Sequence, residues 1–139
     1  MAMLGGFVSS VSAKKVRTSS DADDIIIGDS GTVFHADADD NVAIGTDALN
    51  STAGAALKNI AIGTNALTEL ETGDGNVAIG YGAGDDTADL GSSDNVYIGV
   101  DSGGGTAVTA SSNNNVAIGS GTMAGAMNGA LNNTAIGYN

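Results

Sequence analysis

The pair Ile-Gly recurs along this chain at nearly even intervals. Seven of the ten isoleucines directly precede a glycine, and the pairs are separated by 17, 18, 17, 19, 20 and 18 residues. The pairs are Ile27-Gly28, Ile44-Gly45, Ile62-Gly63, Ile79-Gly80, Ile98-Gly99, Ile118-Gly119 and Ile136-Gly137. Such a repeat is typical of a chain that folds by stacking one small unit on the next.

Each pair ends a five-residue unit of asparagine, a β-branched residue, a small residue, isoleucine and glycine. Residues 41–45, 76–80 and 115–119 read NVAIG, and the variants are DIIIG at 24–28, NIAIG at 59–63, NVYIG at 95–99 and NTAIG at 133–137. β-branched residues favour strands, and residues two apart on a strand point to the same side. We therefore predict one short strand per unit, with the β-branched pair supplying the core and the small residue on the opposite side. The stacked asparagines are expected to form a ladder.

The predicted fold is an all-β parallel solenoid of about seven rungs, formed by residues 21–139. A helical bundle is the alternative, because residues 51–70 are rich in Ala and Leu. Gly54 and Gly63 interrupt that segment, and each costs a helix about 1 kcal/mol relative to Ala. Ordering a residue costs about 1–2 kcal/mol of backbone entropy, and two large aliphatic side chains per rung do not offset that cost. We therefore expect several copies to associate through their Ala and Gly sides.

Composition excludes several classes of function. The chain has 4 cationic residues against 16 acidic ones, a net charge of −12, which argues against nucleic-acid binding. It has no cysteine and one histidine, so we expect no disulfide, no thiolate metal site and no catalytic triad. The sequence predicts a non-enzymatic protein that needs no cofactor and no metal. No apolar run is long enough for a membrane-spanning helix, so we expect no membrane insertion.

The repeated units resemble the head repeats of trimeric autotransporter adhesins (YadA-like heads), which also occur in bacteriophage fibre and other virion proteins. The resemblance covers residues 24–139 and rests on the seven units above, including NVAIGTDAL at 41–49 and NTAIGYN at 133–139. It implies a left-handed parallel β-roll assembled as a homotrimer. The spacing here is longer than in the compact adhesin head, and the sequence contains no heptad stalk and no membrane anchor.

Residues 1–20 do not repeat and hold three of the four cationic side chains. We predict that they form an arm that docks on a partner. The predicted docking residues are Leu4, Phe7, Val8, Val11, Lys14, Lys15, Val16 and Arg17. A frayed terminus is the alternative. A secretory signal is disfavoured because no cation precedes the apolar stretch, although Val11-Ser12-Ala13 weakly resembles a cleavage site.

Three further features admit a binding role. Asp-Ala-Asp-Asp occurs at 21–24 and 37–40, where stacking would bring carboxylates together for Ca²⁺, but a solvated acidic collar is the preferred interpretation. His35 is a packed or surface residue, or an ion ligand around a trimer axis. An ice-binding array would need identical threonines after each glycine, and the observed residues vary too much.

Two functions fit these features. The first is a structural virion protein of a bacteriophage: a homotrimer that decorates or cements the capsid, or forms a short fibre, held to other virion proteins by its N-terminal arm. The second is a head segment of a trimeric adhesin or tail fibre that contacts a host surface, which would place the protein on the bacterial cell surface instead of in the virion.

Overall fold

The computed structural model describes residues 24–28, 38–50, 54–85, 91–105, 110–125 and 127–139, and the backbone of 15–17. These residues form one eight-stranded sheet whose strand order follows the chain. The strands are β1 (Lys15–Arg17), β2 (Ile25–Gly28), β3 (Val42–Ile44), β4 (Ile60–Ile62), β5 (Val77–Ile79), β6 (Val96–Ile98), β7 (Val116–Ile118) and β8 (Thr134–Ile136).

Strands β2 to β8 run parallel and in register. Isoleucine pairs with isoleucine along the whole series, as in Ile44 with Ile62 and Ile62 with Ile79. The spacers between strands differ in length, yet the register does not shift, so the spacers absorb every extra residue. The prediction of an all-β parallel solenoid is confirmed, with seven parallel strands, and β1 adds an antiparallel strand beside β2.

The glycine that follows each strand lies directly against the glycine of the next rung. A Cβ built on Gly80 would lie 2.6 Å from the carbonyl carbon of Gly99, and one on Gly99 would lie 2.6 Å from that of Gly119. The backbone φ angles at these three glycines are 142°, 135° and 122°. Glycine is therefore required here both by the close approach of main chains and by a dihedral angle that other residues disfavour.

The asparagine ladder expected from the sequence is present. Asn76 donates from Nδ2 to Asn59 Oδ1 at 3.0 Å and to the Ser92 carbonyl at 2.8 Å. Its own Oδ1 accepts from the main-chain N and from Nδ2 of Asn95, both at 3.0 Å. Both donors and both acceptor sites of this buried amide are thereby used. The same pattern links Asn41, Asn59, Asn76, Asn95, Asn115 and Asn133.

The prediction of which side chains point into the solenoid is wrong. The small residue at the centre of the strand points into the coil: Ala61 and Ala78 are fully buried, and Tyr97 takes the same place in β6. The β-branched pair points outward and is half-buried or exposed. Five of the ladder asparagines also donate from Nδ2 to a main-chain carbonyl 14 to 17 residues later, so their buried amides share the interior with these central residues.

Other small and aliphatic residues complete the core. Leu49, Leu67 and Leu70 fill it from the segments after the strands, together with a column of alanines. Leu49 and Leu67 have positive φ angles of 48° and 51°, which fold their segments back over the sheet. The core of one chain is thus built mainly from alanine, leucine and asparagine, and most of the valine and isoleucine content lies outside it.

Candidate functional site

The outward side of β2 to β8 carries two columns of β-branched side chains, which we call the aliphatic face. One column comprises Ile25, Val42, Ile60, Val77, Val96, Val116 and Thr134, and the other Ile27, Ile44, Ile62, Ile79, Ile98, Ile118 and Ile136. Ile25, Ile60 and Ile79 expose 44%, 36% and 37% of their surface, and most of the others are half-buried. Seven strands at about 4.8 Å make this face about 30 Å long.

A third column extends the aliphatic face beyond the glycines. It contains Thr46, Thr64, Tyr81, Val100, Ser120 and Tyr138 within the described residues. Tyr81 and Val100 are 55% and 47% exposed, on neighbouring rungs. The column is mixed in chemistry, as its sequence indicated, so it does not present the uniform threonine array that an ice-binding surface requires. Its apolar members enlarge the apolar surface next to Ile79 and Ile98.

Apolar surface of this extent is unusual on a monomer. Isolated aliphatic side chains at a surface are ordinary, but a contiguous apolar patch marks a site of association. The register places each side chain of the aliphatic face beside its equivalents one rung above and below, and five of the fourteen are exposed. A flat, regular, non-polar surface of this kind is suited to packing against another such surface.

The opening of the asparagine ladder is occupied by an aspartate. Asp24 is buried, and its Oδ1 accepts a hydrogen bond from the main-chain N of Asn41 at 2.7 Å. Burial raises the pKa of the Asp24 carboxyl, and the nearby charges of Asp39 and Asp40 act in the same direction, while the hydrogen bonds from Asn41 oppose the shift. A carboxyl group can take this position because the first member of the ladder has only to accept the hydrogen bond from Asn41.

The two Asp-Ala-Asp-Asp segments occupy different places. Asp24 belongs to the ladder, whereas Asp40 takes the positive-φ corner before Asn41, with φ of 60°. Within the described ranges no three acidic, histidine or cysteine residues are grouped so as to hold a metal ion. The proposed calcium ligands Asp21, Asp23 and Asp37, and also His35, lie outside the described residues.

The predicted docking arm is described only in part. The backbone of Lys15, Val16 and Arg17 forms β1, in which Val16 pairs with Ile27. Leu4, Phe7, Val8, Val11 and Lys14 lie outside the described residues. Strand β1 pairs along the edge of β2, so this part of the arm belongs to the sheet.

Tyr97 is a buried group that the sequence analysis did not single out. Its side chain is fully enclosed, and its hydroxyl has no hydrogen-bond partner. Burial raises the pKa of the Tyr97 phenol, which keeps it neutral. The sequence signal was available: NVYIG is the only unit with an aromatic residue at its centre.

Comparison of the chain with protein-family models, with curated proteins and with solved structures found no match. The described part of the chain contains no helix that could cross a bilayer. The proposed function therefore rests on the geometry of the aliphatic face.

Proposed function

We propose that this chain is a non-enzymatic structural protein of a bacteriophage virion, which assembles as a homotrimer through its aliphatic face. The observation that carries the proposal is that face: two columns of β-branched side chains on seven parallel strands, all of them half-buried or exposed. The number of subunits and the left-handed coil come from the resemblance to adhesin head repeats.

Because the β-branched side chains point outward and not inward, the interface expected between subunits also changes. Alanine and glycine lie within each chain, so they cannot meet between columns as the sequence analysis expected. Valine and isoleucine take that role instead. Burying one such side chain contributes about 1.5–3 kcal/mol, so covering two columns gives association a large apolar driving force. Three faces turned to a common axis would enclose this surface completely.

Attachment to the particle is assigned to residues 1–20. Lys14, Lys15 and Arg17 oppose the acidic character of the rest of the chain, and Leu4, Phe7, Val8, Val11 and Val16 supply apolar contacts. A trimer carries three such arms, and simultaneous engagement raises avidity without any further contact. The protein would act by passive multivalent binding at a capsid or tail surface.

The first test is the mass of the protein in solution, measured by light scattering after size exclusion. A trimer supports the proposal, and a monomer at micromolar concentration contradicts it.

The second test is binding to purified particles by a chain that lacks residues 2–13, which leaves β1 intact. We expect a trimer that no longer attaches. Attachment of a trimer to bacterial cells instead of particles would favour the adhesin or tail-fibre role.

A further inference from the structure

One lysine stands at the border of the aliphatic face in an otherwise acidic solenoid. Lys58 is the only lysine or arginine of residues 21–139, which contain all 16 acidic residues of the chain. It lies at the corner directly before the ladder asparagine of its rung. Six described residues share this place, with φ angles between 58° and 69°: Asp40, Lys58, Gly75, Asp94, Asn114 and Asn132. We call this column the asparagine-side rim of the aliphatic face.

Lysine is an unusual residue for that corner. Glycine, asparagine and aspartate tolerate a left-handed backbone better than a long side chain does, and the other five corners hold only those three types. Lys58 is exposed, and within the described part of the chain its ammonium has no ion-pair or hydrogen-bond partner. No contact inside the subunit accounts for this lysine, and strained residues of this kind often serve a function.

The opposite border of the aliphatic face carries negative charge. Its column, the glycine-side rim, lies two residues after each strand glycine and comprises Asp47, Asn65, Gly82, Asp101, Gly121 and Asn139. The Asp47 carboxylate accepts one long hydrogen bond, from Asn50 Nδ2 at 3.4 Å. A carboxylate has room for more than one donor, so Asp47 can receive a further partner.

A threefold assembly through the aliphatic face brings these two rims together. Rotation about one axis leaves all copies parallel and at the same height, and each contact joins two different edges. The asparagine-side rim of one subunit therefore meets the glycine-side rim of the next. Asp47 follows β3 and Lys58 precedes β4, so they differ in height by about one rung, or 4.8 Å. Asp101 follows β6 and lies about two rungs away from Lys58.

We propose that Lys58 forms an ion pair with Asp47 of the partner subunit at each contact of the trimer. This inference rests on the proposed trimer. The flexible stem of lysine can bridge a difference of one rung, and complementary charges at an interface fix its register and orientation. The pair would hold the three chains parallel and in register, which places their N-terminal arms at the same end.

The test exchanges the two charges in the full chain. Lys58→Asp, Asp47→Lys and the double variant are compared with the wild type by light scattering and sedimentation over a dilution series. Within one subunit the two residues lie on opposite rims, more than about 15 Å apart and beyond the screening length in physiological salt, so coupling between them reports a contact between subunits. Asp40 and Asp94 already occupy the same corner, so Lys58→Asp should fold, and circular dichroism checks every variant.

Asp101→Lys is the matched control. It lies on the same rim as Asp47, has a φ of 52° against 54°, and changes the net charge by the same amount. If only the net charge of −12 mattered, Asp47→Lys and Asp101→Lys would both strengthen association, because each makes the chain less negative. A specific pair instead requires Asp47→Lys to weaken it.

We expect Lys58→Asp and Asp47→Lys each to lower the association constant of the trimer about 10- to 100-fold, because three pairs are lost together. The double variant should return to within about threefold of the wild type. Asp101→Lys should neither weaken the wild type nor rescue Lys58→Asp.

The ion pair is overturned if the wild type is a trimer and Asp47→Lys associates as tightly. It is also overturned if the double variant is as weak as either single variant, or if Asp101→Lys rescues Lys58→Asp equally well. These results would leave the proposed trimer standing. A wild type that is a monomer or a dimer would overturn the trimer itself.

Discussion

The ring of Tyr97 occupies the space that a side chain at Gly103 would need. A Cβ on Gly103 would lie 2.7 Å from Tyr97 Cγ and closer still to Cδ1 and Cε1. On the other side of the ring, a Cβ on Gly84 would lie 2.7 Å from Cδ2. The corresponding positions of the other rungs hold Leu49, Leu67 and Met123. One large residue on a strand thus replaces the side chains of two neighbouring segments.

Replacing Tyr97 by phenylalanine should stabilise the protein. The variant keeps the ring and removes a buried hydroxyl that has no partner, and such a group costs about 1–3 kcal/mol. We expect the free energy of unfolding in urea to rise by about 1 kcal/mol. Tyr81→Phe is the control, because Tyr81 is 55% exposed and should show no change. A loss of stability in Tyr97→Phe would mean that the hydroxyl is satisfied.

The same glycine-to-alanine substitution should destabilise the protein more at Gly80 than at Gly137. At Gly80 the new methyl group meets the backbone of Gly99 and the φ of 142° is unfavourable, so we expect a loss of about 3 kcal/mol. At Gly137 the space is open and only the strain of its φ of 157° remains, so the loss should be about 1 kcal/mol. Thermal unfolding of both variants measures the difference. Equal losses would contradict the stacked arrangement of the glycines.

The asparagine ladder should be sensitive in its middle and tolerant at its end. Asn76→Ala removes four side-chain hydrogen bonds and takes away the partners of the Asn95 main-chain N and the Ser92 carbonyl, which should cost about 3 kcal/mol. Asn133→Ala removes one side-chain donor at an exposed position and should cost about 1 kcal/mol. Urea unfolding compares the two variants. If both variants lose the same free energy of unfolding, the buried part of the ladder contributes little to stability.

Asp24 should make stability depend on pH. Because the folded state raises the pKa of this carboxyl, its protonated form is favoured by folding. Its contribution is complete below the ordinary pKa of 3.8 and is lost as the pH rises through the folded-state pKa. Asp24→Asn should therefore have a higher melting temperature at pH 7, and the gain should shrink towards pH 3. Asp94→Asn, the same substitution at an exposed corner, is the matched control. A gain for Asp24→Asn that is constant with pH would contradict the assignment.

Charges placed on the two sides of one strand should separate folding from assembly. Ile79→Asp lies on the aliphatic face, so we expect the chain to keep its fold and to lose its self-association. Ala78→Asp buries a charge in the core and should cost more than about 4 kcal/mol, which prevents folding. Circular dichroism and solution mass distinguish these outcomes. If the Ile79→Asp chain is unfolded, the result would contradict the placement of the β-branched residues outside the core.

The repeat made the strands and their register predictable. Each strand found in the structure lies within a five-residue unit except β1, which has no repeat to mark it. The asparagine ladder followed from stacking one unit on the next, with asparagine at the same place in each. The direction of the side chains did not follow, because alternation states only that Val77 and Ala78 face opposite sides. Which side is the interior depends on the width of the coil, and residues far apart in sequence set that width.

The aliphatic face was likewise visible as a pattern but was assigned to the wrong side. Its extension by Tyr81 and Val100 was missed, since the position after each glycine is irregular in the sequence. The role of Asp24 was hidden because its Asp-Ala-Asp-Asp segment suggested a cation site. Its position in the unit, where the other six have asparagine, was the informative signal.

The strands keep their register although the spacers differ in length, and this has an evolutionary consequence. Because each strand bonds only to its neighbours, gaining or losing one repeat would change the height of the solenoid by about 4.8 Å and leave its cross-section unaltered. Recombination between repeats can therefore adjust the reach of such a protein in discrete steps. Spacers are free to diverge at the same time, so new surface chemistry can arise without endangering the scaffold beneath it.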